Sequence, residues 1–569
     1  MDFDARTDRL ERSRLAFESV AAFLISIAFL LALAPAGPFT KELGVCEAGA
    51  VRDVLSGNAI LPHYSPGIPV QVPPMFWWMA ALAVRLVGWN EMALRAPSIM
   101  AVGLSAAILY AWIASSLSRR AAIWSVAALL SSQYVADASR QPRMDALLMM
   151  FLVAAMACLE RTISLPQQKR KMTLLAGASI SMGLAILTKG PLGVILPGLT
   201  IVIFMAMRRR LGELFRLNII ATFAGALVIG ALWYLAAFEV GGNEFFTFQI
   251  VHGLFRRFLG SAAGNAGECQ NPFYYFLPRL VSGFLPWSLF YPALAIMLWR
   301  SRARMPAPIA FALCWFVAVL GFFSISAGKC LVYILPLFPA LAAMTGAMIA
   351  SATEPSNSSD PARRFFNYAS IVIAIGVLLI VVIVGALILS GSAAVLGAHL
   401  HRSDKHFLEV LTTAASRGSP AIVLWISLWL VGGIVALSSV VRGRALTQSA
   451  AVALIALAGT IFWYGFLNPT LATEETLKPF ASIVDTIAPP GVLIDYIGQP
   501  DCDLAFYSNH AIASLKNFQC AKESSDAYFI VWQDRWKTLS TDQSACLAPL
   551  AQSGAVDSHG ARVLMIERK

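Results

Sequence analysis

Lys189 stands in LTKGPLGVILPGLTIVIF, Leu187 to Phe204, directly ahead of a long hydrophobic run. A bare cation at the mouth of a bilayer helix is costly unless it meets an anion or water, and a lipid phosphate is a natural partner there. Two carboxylates occupy comparable positions. Asp145 lies in RQPRMDALLMMF at the start of an apolar segment, and Glu42 follows Lys41 in an early polar connection. A pair of acids at one membrane face can steer and deprotonate a hydroxyl or amine acceptor, or position a polarised sugar. The bland alternatives are a solvated loop acid beside Lys41 and a helix N-terminal acid stabilised by the dipole and Arg143. Arg140, Arg143, Arg256, Arg257 and Lys329 add cations on the same side. Arginine through a bidentate fork and lysine as a point charge suit a diphosphate or lipid phosphate. Each cation alone is explained as an interfacial snorkelling residue; the functional argument rests on their sharing one face.

Other chemistries find less support. His63 and His252 fall outside the apolar runs, and no HExxH or CxxC pair accompanies them. No metal site is read from the sequence, and a divalent cation at the carboxylates stays open. GxSxG and Walker motifs are absent, so neither a serine hydrolase nor ATP-driven pumping is indicated.

The elements that must position these residues are transmembrane helices. The 569 residues are 58% hydrophobic and 13% charged, with a mean hydropathy of +0.68. The apolar residues gather in runs of about 16–25, close to the length that crosses a bilayer core. About thirteen spans are expected, near 17–37, 96–116, 121–136, 144–160, 173–188, 190–207, 218–238, 280–299, 307–325, 330–351, 367–391, 420–440 and 446–467. The pair around Lys189 is read as a tight hairpin, with one broken helix as the alternative. The first segment is read as a retained anchor, although its Ala32, Ala34 and Ala36 also suit a cleavage site. Arginine and lysine concentrate in alternate connections, including Arg119–Arg120, Lys169–Lys171, Arg208–Arg210 and Arg363–Arg364. By the positive-inside rule that side is cytoplasmic, together with the N-terminus. Much of the net charge of +11 is therefore a topology signal, and nucleic-acid binding is disfavoured.

Three larger regions fall on the opposite, outer face: loops 38–95 and 239–279 and the tail 468–569. The first loop is expected to hold a short helix from Glu42 to Leu55 and an interfacial, Trp-rich helix from Pro73 to Gly88. In the tail, GVLIDYIG, LAFYSN, DAYFIVWQD and ARVLMIER read as strands, with helices near 474–488 and 540–552. Their alternation predicts a small extracytoplasmic α/β domain. Cys46, Cys269, Cys502, Cys520 and Cys546 lie on this oxidising side, and a disulfide is expected between two of the last three.

The ordered motifs resemble the GT-C membrane glycosyltransferases, in particular the protein O-mannosyltransferase and aminoarabinose (lipid A) transferase superfamily. The matching stretches are KEL…VRDVLSGNAILPHY…QVPPMFWW, GWNEMALRAPSIM, QPRMDALL, LTKGPLGVILPG, FRRF…NPFYYF…GFLPWSL and KCLVYILPLFPALA, in family order. The resemblance implies a polytopic α-helical enzyme that carries out inverting transfer from a polyprenyl-phosphate sugar at the periplasmic face of the inner membrane. It implies a lipid, glycan or protein acceptor. Glu42 takes the place of the candidate base and Asp145 that of the second acid. Lys189 and Arg257, with Arg256 as the near alternative, would hold the phosphate, joined on the substrate side by Arg143, Lys329, Tyr333 and Arg52. Two departures stand out: Leu43 replaces the second acid of the family's Asp-Glu pair, and Val72 replaces the lysine of its Lys-Pro-Pro. The second change removes a phosphate-side cation, for which Lys189, Lys329 or Arg52 would compensate. A non-catalytic, lipid-handling relative is the alternative from another class, and Val72 is its best support.

Overall fold

The computed structural model describes the chain except Met1, Lys569 and residues 35–36, 41–42, 66–67, 71, 165–167, 216, 246, 248–270, 355–360, 391–418, 499–500, 516–527, 540–545 and 557–561. Among the described residues, ten helices are long and apolar enough to cross a membrane, or eleven if the bent pair Phe276–Gly283 and Trp287–Ser301 forms one span. The protein is a multi-pass membrane protein. Two of the thirteen expected spans are shorter than foreseen. The 121–136 segment divides into Arg119–Leu130 and Gln133–Arg140, and 190–207 becomes the 16-residue helix Leu192–Met207. Both remain helical, but neither alone has the length of a full crossing.

Local chemistry sets the helix ends that matter for the site. Helix Glu91–Ser116 begins at Asn90, whose side chain accepts the backbone N–H of Ala93 at 2.8 Å, an ordinary N-cap. Helix Met144–Ser164 follows the Gln141–Pro142–Arg143 turn and carries Asp145 in its first turn. Helix Gln168–Lys189 stops at Gly190, which has φ +69°, a conformation that favours glycine. Pro191 then opens the next helix. A side chain at Gly193 would strike the backbone of Ala185 and Ile186, so the chain folds back there as the hairpin reading expects.

Buried Arg95 fixes this end of the bundle. Its Nε donates to the Arg140 carbonyl and its Nη1 to the Gly37 carbonyl, both at 2.9 Å, and its guanidinium lies 4.4 Å from the Phe39 ring centroid. One cation thus ties the start of the first loop to the helix that precedes Asp145. The first loop then forms helix Glu47–Leu55, strands β1 (His63–Ser65) and β2 (Ile68–Pro69), and helix Met75–Val87. The last is the expected Trp-rich segment.

The tail carries a five-stranded sheet of β3 (Ile494–Ile497), β4 (Ile512–Leu515), β5 (Tyr528–Trp532), β6 (Leu547–Val556) and β7 (Arg562–Arg568), in the order β4-β3-β5-β7-β6. The β3 strand is parallel to β4 and β5, and β7 is antiparallel to β5 and β6. Two expectations are corrected. LAFYSN contributes to helix Cys502–Tyr507, where Leu504 and Phe506 bury one helical face against the loop and the sheet. The described part of 540–552 belongs to strand β6, held by its ladder with β7. Local propensity in such short segments yields to tertiary packing.

This sheet unit is docked on the first loop. Cys46 is disulfide-bonded to Cys502 across 456 residues of sequence, and Cys330 and Cys546 are disulfide-bonded as well. Arg52 donates to the Phe506 and Ser508 carbonyls at 2.9 Å and lies 4.7 Å from the centroid of the Trp89 ring. Phe506 stacks on Trp89 and meets Phe39 edge-on. Tyr507 accepts the Phe39 N–H at 2.7 Å and donates to Glu91 at 3.0 Å, while Lys478 reaches Glu91 at 2.8 Å. Non-reducing peptide mapping should recover a cross-linked species containing Cys46 and Cys502. The Cys46→Ser/Cys502→Ser double variant should be less stable by about 2–4 kcal/mol in unfolding measurements.

Candidate active site

Asp145 sits where three segments meet: the 141–143 turn, the start of its own helix, and the end of the following helix at Lys189. Its side chain is 3% exposed. One carboxylate oxygen accepts from the Lys189 ammonium, and the other accepts from Arg143 Nε at 3.1 Å. The Arg143 backbone is fixed in turn: its N–H approaches Ser98 Oγ at 3.4 Å, and the Ser98 hydroxyl donates to its carbonyl at 3.2 Å. Lys189 lies 4.9 Å from the centroid of the Tyr333 ring, a cation–π contact. Asp145, Lys189, Arg143 and Tyr333, drawn from separated stretches of sequence, are therefore brought together.

The other predicted residues divide into two sets. Lys329 is buried and donates to the Ser326 carbonyl at 2.6 Å, with Asn271 bonded to its own carbonyl. Arg52 is turned away from the cluster onto the C-terminal unit; its guanidinium satisfies carbonyls and stacks on Trp89, so its observed work is docking. Glu42, Arg256 and Arg257 lie outside the described residues. Two positions after Glu42, however, Gly44 packs on Arg143, where an added Cβ would stand 2.7 Å from Cγ of that side chain. Val72 is half-buried and packs against the membrane core. No group of three or more His, Cys, Asp or Glu suited to a metal ion is found among the described residues.

One side chain that sequence reading passed over belongs to the same region. Glu47 opens the first-loop helix and is 9% exposed. Trp77 Nε1 donates to its Oε2 at 2.6 Å. Burial, the largest influence, raises its carboxyl; Trp77, Arg143 and Tyr64 pull it down and Asp145 pushes it up, leaving it at about 7. Its position in sequence was a signal: Glu47 precedes Val51 and Val54 on one helical face, so an acid is carried on the buried side. Arg140, one of the expected cations, has other partners. It reaches Asn468 Oδ1 at 3.1 Å and lies 5.3 Å from the Tyr464 ring centroid, joining this corner to the last membrane helix region.

Comparison with known proteins bears on the fold and the family resemblance. The family model described as dolichyl-phosphate-mannose-protein mannosyltransferase matches residues 71–235, which contain Arg143, Asp145 and Lys189. Relatives are named undecaprenyl phosphate-alpha-4-amino-4-deoxy-L-arabinose arabinosyl transferases. That of Erwinia tasmaniensis is 31% identical over 293 residues, 51% of each chain. That of Aeromonas salmonicida is 30% identical over 353 residues, 61% of this chain and 62% of the relative. That of Pseudomonas fluorescens is 29% identical over 301 residues, 52% of this chain and 50% of the relative. The match thus spans about half the length of most of these relatives. The crystal structure of ArnT from Cupriavidus metallidurans bound to undecaprenyl phosphate superimposes with a TM-score of 0.73 at 20% identity, covering 97% of both chains. The resemblance to the GT-C superfamily drawn from the ordered motifs is supported by all three comparisons, and the fold extends over nearly the whole chain.

Removing one member of a buried ion pair strands the other. Lys189→Met should cost about 3–5 kcal/mol in detergent-solubilised unfolding. The Asp145→Asn/Lys189→Met double variant should recover part of that loss, because the charge then left without its partner is that of the partly exposed Arg143.

Proposed function

We propose that this protein transfers a sugar from a polyprenyl-phosphate donor to a lipid acceptor at the outer face of a bacterial inner membrane. The observation that carries the reading is the buried Asp145 clamped between Lys189 and Arg143 at the common end of two membrane helices. A carboxylate with both oxygens already accepting from cations is a poor proton acceptor. Asp145 therefore holds Lys189 and Arg143 in place, and the two cations face the donor phosphate, with Arg257 or Arg256 of the second loop as a further contact. Tyr333 keeps the Lys189 ammonium over its ring. Lys329 lines the same side.

Glu42 acts as base toward a hydroxyl acceptor. It takes the proton as the acceptor oxygen attacks the anomeric carbon, and the bond to the phosphate oxygen breaks with inversion. An acceptor phosphate is already anionic and needs no base; Glu42 then positions it. In either case polyprenyl phosphate departs, and the cations stabilise the charge that grows on its leaving oxygen. A lipid acceptor reaches the helix ends along the bilayer, beneath the interfacial helix Met75–Val87. Support for this chemistry comes from the relatives' names, which specify a sugar carried on undecaprenyl phosphate.

The orientation has independent support. The Cys46–Cys502 disulfide suits an oxidising compartment, and the arginine-rich connections lie at the opposite helix ends. The first loop and the C-terminal unit then face the periplasm, and the N-terminus faces the cytoplasm. A second reading, a lipid-handling relative without catalysis, rests on Val72, where the family's pattern has a lysine.

Purified protein incubated with defined polyprenyl-phosphate sugars and membrane lipid extract should yield a glycosylated lipid detectable by mass spectrometry. Lys189→Gln should lower transfer by roughly 10²–10³-fold, and the charge-free Asp145→Asn/Lys189→Met pair should be inactive although folded. Full transfer by that folded pair would refute the site assignment. Donor binding without turnover by the wild type would favour the lipid-handling reading. Alkaline phosphatase fused to the C-terminus should be active, as a periplasmic location requires. Val72→Lys should tighten donor binding, seen as a lower KM, with little gain in kcat.

A further inference from the structure

Glu47 is a carboxylate that the transfer scheme does not use, yet it is buried beside the cations that the scheme needs. We propose that Glu47 is a positioning residue that competes with the ligand phosphate for Arg143, so that seating a lipid phosphate requires Glu47 to take up a proton. The inference rests on the lipid-phosphate reading above and extends it to the control of affinity.

The argument begins with charge. Within the described cluster, Arg143 and Lys189 supply two positive charges, and Asp145 and Glu47 supply two potential negative ones. Asp145 is hydrogen-bonded to Arg143, and Gly44, in the turn that leads directly into the Glu47 helix, packs on the Arg143 side chain, which brings Glu47 within electrostatic reach of it. With both acids ionised these four charges cancel, so together they add nothing to the attraction that the other cations of the site exert on an anion. With Glu47 protonated the four groups carry one net positive charge. Asp145 cannot play this part, since both of its oxygens are engaged by cations.

The surroundings of Glu47 isolate that exchange. From helix Met75–Val87 comes the Trp77 indole N–H, from β1 the Tyr64 hydroxyl, and from the 141–143 turn and the next helix Arg143 and Asp145. Neighbouring ionisable groups are committed elsewhere. On its own helix, Arg52 faces the Phe506 and Ser508 carbonyls and Asp53 accepts from the His63 N–H at 2.7 Å and contacts its ring nitrogen at 3.0 Å. From segment Cys502–Tyr507, Tyr507 donates to Glu91 and Asp503 acts on Tyr496 within the C-terminal unit. Burial raises the Glu47 carboxyl to about 7, within the range where it can exchange its proton. An anion arriving at Arg143 removes the cation's pull and raises it further. Below about pH 7 Glu47 is already neutral and affinity is flat; above it, affinity falls with pH, by up to about tenfold per unit until the ligand-bound value is reached.

The test uses the full-length protein in detergent and the methyl diester of undecaprenyl phosphate, whose single charge does not titrate in this range. Binding is measured by calorimetry from pH 6 to 9, in buffers of different ionisation enthalpy so that protons taken up are counted. Wild type should bind more weakly as pH rises above 7 and take up close to one proton near pH 8. Glu47→Gln, nearly isosteric, should bind at the tight limit throughout with no proton uptake. Trp77→Phe, which withdraws the N–H that favours the ionised carboxylate, should move the pH dependence upward without abolishing it. Binding that depends on Lys189 but keeps the wild-type slope and proton uptake in Glu47→Gln overturns this inference alone. Absence of binding by the wild type at every pH overturns the lipid-phosphate reading and this inference with it.

Discussion

A carboxylate can be buried at the end of a membrane helix only if its charge is met there, and Asp145 is met twice. Lys189 and Arg143 approach from different segments, so their convergence fixes two connections at once. The hairpin at Gly190–Pro191 must deliver the ammonium, and the Gln141–Pro142–Arg143 turn must deliver the guanidinium. Ser98 clamps the latter from a third helix. Ion pairs in such surroundings gain little net stability, because desolvation offsets most of the attraction. Their main effect is to penalise every arrangement in which one partner is missing. The site is thus specified by the cost of its alternatives.

The same logic extends outward through the first loop. Arg95 ties the start of the loop to the helix before Asp145, and the Cys46–Cys502 bond with the Arg52 contacts ties it to the C-terminal unit. The short helix carrying Glu47 is held between these attachments. Gly49 lies so close to the Tyr64 carbonyl that no side chain fits. A loop pinned on two sides keeps its acids in register with the cations below. Without the C-terminal unit the loop would lose one of those sides, which gives that unit a structural role in holding the loop.

Much of this was legible in the sequence. Hydrophobic runs reveal bilayer helices because lipid demands them, and the cations at their ends reveal orientation for the same reason. Asp145, Lys189 and Arg143 could be grouped because all three interrupt apolar sequence at one face. What escaped was set by contacts between distant segments. Cys502 finds Cys46 only through docking of the C-terminal unit, and Arg52 has the charge of a phosphate ligand but faces carbonyls of that unit. LAFYSN has the composition of a strand, yet the helix Cys502–Tyr507 lets Phe506 reach Trp89 and Phe39 together. Glu47 was passed over because an acid in a loop helix is ordinarily solvated, and only the fold places Trp77 and Arg143 beside it.

Val72 then bears on catalysis less than a lost cation first suggests. A cation that holds the donor phosphate equally before and during bond breaking lowers KM but does not speed the chemical step. Only charge aimed at the oxygen that becomes anionic as the glycosidic bond opens gives that acceleration. In the proposed scheme Lys189 and Arg143, held by Asp145, are of the second kind, since they need no rearrangement when the charge appears. A valine at position 72 and a buried acid at Glu47 act in the same direction, toward weaker retention of anions at rest. Under the proposed reaction the product, polyprenyl phosphate, carries more negative charge than the donor and must be released. A pocket whose cations are partly offset by Glu47 would hold that product less tightly while keeping the preorganised pair at the bond that breaks.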